Sequence, residues 1–115
     1  AYERIILFIE RIKPDSFIPR TLSPSLPYQE YQLLLINEIR KEFEYNLSQQ
    51  LYLSENAWEV TVNFKDNIIT LINSAATSGP PQAPAGDLAR KILEHYISSD
   101  LKGEQILKIV KAEIQ

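Results

Sequence analysis

Cysteine and methionine are both missing from these 115 residues, histidine occurs once, and glycine three times. Without cysteine there is neither a disulfide framework nor thiolate chemistry, which fits a reducing compartment. One histidine and no cysteine leave zinc without its usual ligands, and the paired Glu-x-x-His motifs of a di-metal bundle are missing too. A serine–histidine–aspartate triad would have to rest on His95, which sits mid-helix beside Tyr96, far in sequence from any strained nucleophile turn. His95 is therefore read as a partly exposed helix residue. Gly79, Gly86 and Gly103 fall in expected linkers or breaks and form neither a phosphate-binding loop nor a dinucleotide fingerprint. The longest apolar run, Ile5 to Ile9, is far below the roughly 20 residues that cross a bilayer, and no secretory signal is visible. Net charge is small as well. At a net charge of −3 the chain lacks the dense basic patch that a nucleic-acid protein or a polybasic membrane-surface domain uses. No metal, no cofactor and no nucleic-acid partner are expected.

What remains is an ordinary globular composition, 44% hydrophobic and 23% charged, at a length that suits one domain over residues 1–115. The pattern predicts an all-α fold, a four- to five-helix bundle with an ordered Pro-rich crossover and a Pro/Gly linker. Residues 1–13 read as an amphipathic helix with Tyr2, Ile5, Ile6, Ile9 and Ile12 on its stripe and Leu7 and Phe8 beside it. So wide an apolar face implies more than one neighbour, and Pro14 ends the helix. No capping residue precedes it, so the helix is expected to begin upstream, in a longer protein. Prolines at 14, 19, 24 and 27 argue against a regular helix over 14–27, while Phe17, Ile18, Leu22 and Leu26 pin that stretch onto the bundle.

Residues 28–51 give the clearest helical pattern, with Leu35, Ile39, Phe43 and Leu47 recurring every fourth residue. Arg40 with Glu44, and Glu38 with Lys41, would pair on its outer face. Ser54 reads as an N-cap with Glu55 behind it. Over 55–76 two readings compete. Glu59 to Phe64 alternates like a strand, with Lys65-Asp66-Asn67 as a turn; yet Trp58, Val62, Lys65, Ile69, Ile72 and Ala76 make one helical stripe. No glycine supplies a hairpin turn, and a lone hairpin among helices is marginal, so the helix is preferred. Residues 77–86 read as a linker able to stretch about 30 Å. Asp87 is expected to cap a helix to about Ser98 with Leu88, Ile92, Leu93 and Tyr96 inward. A last helix carries Ile106, Leu107, Val110 and Ile114.

Side chains that could do chemistry or bind are few. Glu38 and Glu42 lie one turn apart, and a general acid there would need burial; their charged neighbours instead describe a solvated face. Asn46, Gln49 and Gln50 bring amides to i, i+3 and i+4, with Tyr52 just beyond. They could grip an extended partner's backbone, or merely close a helix end. Trp58 suits a core anchor better than an interface hot spot. Asn46, Gln49, Gln50, Tyr52 and Trp58 are the candidate binding residues; no catalytic residue is assigned. Pro81-Gln82-Ala83-Pro84 matches a PxxP pattern without a basic flank and is read as linker. Lys102, Lys108 and Lys111 look like a solvated face.

Ala1-Tyr2-Glu3-Arg4 with Leu7-Phe8 and Glu10-Arg11-Ile12, Glu38-Ile39-Arg40, Glu42-Phe43-Glu44, Asn46 to Tyr52, Ala57-Trp58, Leu71-Ile72-Asn73 and Ala89 to Leu93 together resemble an uncharacterised domain family of Bacteroidota proteins. The resemblance covers nearly the whole chain, the Pro-rich linker and last helix being less distinctive. It implies a domain behind a single N-terminal membrane anchor, facing the cytoplasm if basic residues follow that anchor. It implies no reaction and no site residue. Three functions stay open: an interaction or scaffold domain with a protein partner or a second copy, a helical sensor of small molecules or peptides near Tyr52 and Trp58, and a carboxylate enzyme around Glu38, Glu42, Asn46 and Gln49. The first is preferred, with membrane contact only through a segment outside this chain.

Overall fold

Ile5, Phe8, Ile9 and Ile12 recur at the helical period, and α1 (Tyr2–Ile12) buries all four. The structure is a computed structural model that describes residues 2–77, 79–99 and 102–113; Ala1 and Ile114, expected in the first and last helices, lie outside them. Seven helices appear among the described residues rather than four or five, and no strand does. They are α1, α2 (Pro14–Thr21), α3 (Tyr28–Tyr45), a 3-10 helix (Leu47–Tyr52), α4 (Glu55–Ala76), α5 (Ala85–Ser98) and α6 (Gly103–Ala112).

Each extra helix has a local cause. Residues 14–27 are not helix-free, because α2 tolerates its prolines. Pro14 sits at the first helical position, where an N–H would have no partner anyway. Pro19 forfeits only the bond to the carbonyl of Asp15, itself exposed. Burial of Phe17 and Ile18 outweighs that loss. The second split divides residues 28–51 at Asn46, whose side-chain amide donates to the Glu42 carbonyl at 2.8 Å. The chain then continues as a 3-10 helix, and Leu47 is exposed rather than in line with Leu35 and Ile39.

The 22 residues of α4 settle the helix-or-hairpin question, and Ser54 caps them as expected, its hydroxyl accepting from Ala57 N at 3.0 Å. The buried face of α4 is Ala57, Thr61, Phe64, Ile68, Ile72 and Ala75. That is a stripe rotated by about one residue from the expected one, because Thr61 is buried by giving its hydroxyl proton to the Ala57 carbonyl at 2.7 Å. Along its length α4 packs against α1, α3, α5 and α6. Tyr28, Tyr31, Leu35 and Ile39 from α3 and Leu88, Ile92 and Tyr96 from α5 complete the core with Ile106 and Val110 of α6. The expected breadth of α1 holds, since it touches α2, α3, α4, α6 and the 3-10 helix, although Leu7 turns outward.

The Pro/Gly segment is shorter than expected and has a structural task. α5 starts at Ala85 with Pro84, not Asp87, at its N-cap, so Gly86 lies inside that helix. Before it, Ala83 O accepts from Tyr28 N at 2.7 Å and Pro81 O from Gln29 N at 3.2 Å. The linker carbonyls thus satisfy orphan donors at the start of α3, where Pro27 has no side chain to do so. The Pro81–Pro84 motif is engaged by its own chain. Gly103, expected near a break, is the first residue of α6, its N–H donating to the Tyr96 hydroxyl at 2.7 Å.

Candidate functional site

Among the described residues, the surface of the 3-10 helix is the most apolar stretch left open. Nine large hydrophobic side chains are exposed among the described residues, and four of them fall within eight positions: Tyr45 at 75%, Leu47 at 44%, Leu51 at 85% and Tyr52 at 69%. A fifth, Leu7, shares a small hollow with Tyr45, Phe8, Arg11 and Asn46. Its ≈ 80 Å³ admits a few waters rather than a ligand, since ligand pockets start at about 300 Å³. Arg4 holds that edge together, its guanidinium 4.9 Å from the Tyr45 ring centroid and bonded to the Tyr45 carbonyl at 3.3 Å.

On the other side of the 3-10 helix, where α4 begins, Gln50, Leu51, Leu53, Ser54, Glu55 and Trp58 line a larger groove of ≈ 510 Å³. Trp58 forms its wall and is supported from within. The indole stacks on Phe43 with centroids 5.5 Å apart, Phe43 meets Phe8 at 5.9 Å, and Lys65 Nζ lies 4.3 Å over the Phe43 ring. Trp58 is therefore half-buried, a bridge from core to surface rather than a core residue outright.

The five candidate residues do not converge. Asn46 and Gln49 are buried: Asn46 closes α3, and Gln49 reaches the Ser48 hydroxyl at 3.5 Å. Gln50, Tyr52 and Trp58 face the open surface or the groove. The amide cluster is thus split, its buried half spent on the chain's own turn. Tyr45, Leu47 and Leu51, for which residue type gives no sign of exposure, also lie open here.

The carboxylates are equally scattered. Glu42 accepts from Arg11 at 2.8 Å, and Glu38 stands 4.0 Å from Lys41, as expected on a solvated face. Asn46, Gln49 and Thr61 are the buried polar side chains among the described residues, and no carboxylate is among them. Nor do the described residues hold a group of three metal-ligating side chains. His95 is exposed. The perturbed acids lie elsewhere. Burial pushes the Tyr96 phenol up to about 12, with the Gly103 N–H pulling back and the charges of Glu104 and Asp15 adding to the rise. Burial also raises Tyr31 against the pull of Thr21. Glu104 is lowered, first by its own backbone N–H and then by Lys13 and Lys102, against the opposing effect of partial burial. No helix of the described residues is long and apolar enough to cross a membrane.

One comparison places this arrangement among relatives. The chain belongs to a family of unknown function, DUF7935, which matches residues 1–115. Comparison with curated proteins and with solved structures gives no match. Membership in DUF7935 brings no assigned activity to the surface at Tyr45–Tyr52.

Proposed function

We propose that this domain is a non-enzymatic interaction module that docks a protein partner through the surface of its 3-10 helix. The observation that carries the reading is the run of four large apolar side chains turned outward between Tyr45 and Tyr52. Isolated exposed hydrophobics are normal, whereas four within eight residues are the concentration that interaction surfaces show. Tyrosine and tryptophan are the side chains that interfaces favour. Attachment to a membrane at its cytoplasmic face, through a segment outside these 115 residues, and a place among Bacteroidota proteins belong to the same proposal; the resemblance of the Tyr2–Ile12 and Asn46–Tyr52 segments supports them. A second reading, a sensor for a small molecule or free peptide, draws on the ≈ 510 Å³ groove.

Photo-cross-linking in the native cells tests the proposal. A benzophenone side chain at Leu51 is expected to give a discrete adduct that Tyr52→Asp suppresses. The same group at Ile97, exposed on α5, gives none. An adduct at twice the chain mass identifies a second copy as the partner. Equal, diffuse labelling from both positions refutes an interaction face at the 3-10 helix, and stabilisation by a metabolite without any adduct favours the sensor.

A further inference from the structure

The groove at the start of α4 is acidic as well as apolar. Leu51, Leu53 and Trp58 supply its apolar lining, Glu55 and Glu59 stand at its edge, and no lysine or arginine lines it. Both glutamates are exposed, and among the described residues neither enters an ion pair. The adjacent positive end of the α4 dipole is already answered. The Ser54 hydroxyl accepts from Ala57 N, and the Glu113 carboxylate takes bonds from Ser54 Oγ and from Asn56 Nδ2, the latter at 3.3 Å. Glu59 lies beyond the first turn, where the dipole has little hold. The groove therefore carries two carboxylates without a cation partner among the described residues, Glu55 against the start of α4 and Glu59 clear of it, beside apolar side chains.

We infer that it receives a basic peptide segment of a partner protein, with an apolar side chain seated against Trp58 and Leu53 and lysine or arginine over Glu55 and Glu59. The inference rests on the docking function proposed above and names the partner's chemistry. Glu55 and Glu59 are four residues apart on a helix, about 6 Å along its axis. Cations spaced i, i+4 on a partner helix, or i, i+2 on an extended strand, meet that separation. Gln50 at the rim offers an amide to the partner's backbone. Complementary charge of this kind selects partners and speeds encounter. It also disfavours an anionic lipid surface, which the same two carboxylates repel.

Trp58 is the single tryptophan, so its emission reports on the groove directly. Three probes are titrated into the whole chain: a 14-residue helical peptide of leucine with lysines at i, i+4, its leucine–glutamate counterpart, and phosphatidylserine–phosphatidylcholine vesicles. The lysine peptide is expected to shift Trp58 emission saturably, and the other two are not. Glu55→Lys with Glu59→Lys weakens the lysine peptide about tenfold and confers binding of the glutamate peptide. Glu59→Gln gives a smaller loss, and added salt reduces the difference. Circular-dichroism melts verify that these exposed changes leave the fold intact. Unchanged affinity after charge reversal overturns the inference, as does equal binding of the glutamate peptide, a response to vesicles, or a Trp58 shift on concentrating the chain alone. If the Leu51 adduct persists while the lysine peptide fails, only the partner's charge is wrong; loss of that adduct removes the docking face itself.

Discussion

Replacing Gly79 by alanine isolates a contact that no composition argument would find. Neither Gly79 nor any other described glycine has a positive φ, so alanine is not excluded by backbone conformation. It is excluded by space. A Cβ on Gly79 would stand 2.6 Å from Cε1 of Tyr28 and closer still to Cζ and Oη. That ring is 2% exposed, and its hydroxyl donates to the Ala75 carbonyl at 3.0 Å. It cannot swing into solvent without leaving the core, and moving it breaks a buried hydrogen bond worth about 1 kcal/mol. Overpacking of this kind adds about 1–3 kcal/mol, and the stiffer unfolded chain returns about 0.5–1 kcal/mol. The expected net loss is about 2 kcal/mol, or about 8 °C in Tm for a domain of this size.

Gly86→Ala is the matched control. Gly86 is the second residue of α5, and a Cβ there meets nothing within 4 Å. The same chemical change should therefore stabilise by about 0.5 kcal/mol through helix propensity. Urea unfolding of the two variants and of Tyr28→Phe completes the assay. Phenylalanine lacks Oη but keeps Cζ and Cε1, so the Gly79→Ala cost should fall in that background without vanishing. If Gly79→Ala melts at or above the wild-type temperature, or costs the same whatever stands at position 28, the close approach is not what requires glycine.

Other perturbations separate fold from docking. Because the Tyr96 phenol is raised from 10.0 to about 12, it stays neutral in the fold at a pH where the unfolded chain ionises; its stabilisation is whole below about pH 10 and is lost between about 10 and 12, by roughly 2 kcal/mol, and denaturant midpoints across that range should fall less steeply in Tyr96→Phe. Ser54→Ala removes both the α4 N-cap and a partner of Glu113, and should cost about 1 kcal/mol in thermal melts. Asn46→Ala should cost about 1–2 kcal/mol because its amide holds the Glu42 carbonyl; unchanged stability would return Asn46 to the list of side chains free to bind a partner.

The helical class and four of the buried faces were legible because apolar residues recur at 3.6 in long segments: Ile5, Ile9 and Ile12, Leu35 and Ile39, Leu88 and Ile92, Ile106 and Val110. The N-cap at Ser54 was legible from its residue type alone. What escaped depends on tertiary satisfaction of groups whose local preference points elsewhere. α2 forms across Pro19 because a helix so short loses one bond there. The start of α3 is capped by carbonyls some fifty residues away, at Pro81 and Ala83. The α4 stripe is centred on Thr61 and Phe64 because a threonine can hide its hydroxyl on the preceding turn. The amide cluster was half legible: its residue types suggested either a grip or a cap, and burial divides Asn46 and Gln49 from Gln50.

The break at Asn46 lies within the proposed docking face, between the exposed Tyr45 and Leu47. Leu35, Ile39, Phe43, Leu47 and Leu51 recur at i, i+4, a spacing that advances about 40° around an α-helix at each step, so Leu47 and Leu51 would turn away from the Leu35 face even if the helix ran on. The buried end of that series contacts the core through Leu35 and Ile39, and Phe43 is partly buried against Trp58. At Asn46 the backbone leaves the α-helix, its N–H donating to the Phe43 carbonyl at 3.0 Å, and the next turn tightens to three residues. On that short helix Leu47 and Leu51 are both exposed. Local pattern and tertiary outcome part at this turn as they do at Pro19 and along α4, and such places are where functional surfaces are sought first. A helix-restoring substitution, Asn46→Leu, would set the two demands against each other: if it extends α3 in circular dichroism while abolishing the Leu51 cross-link, the turn is kept for the partner rather than for the fold.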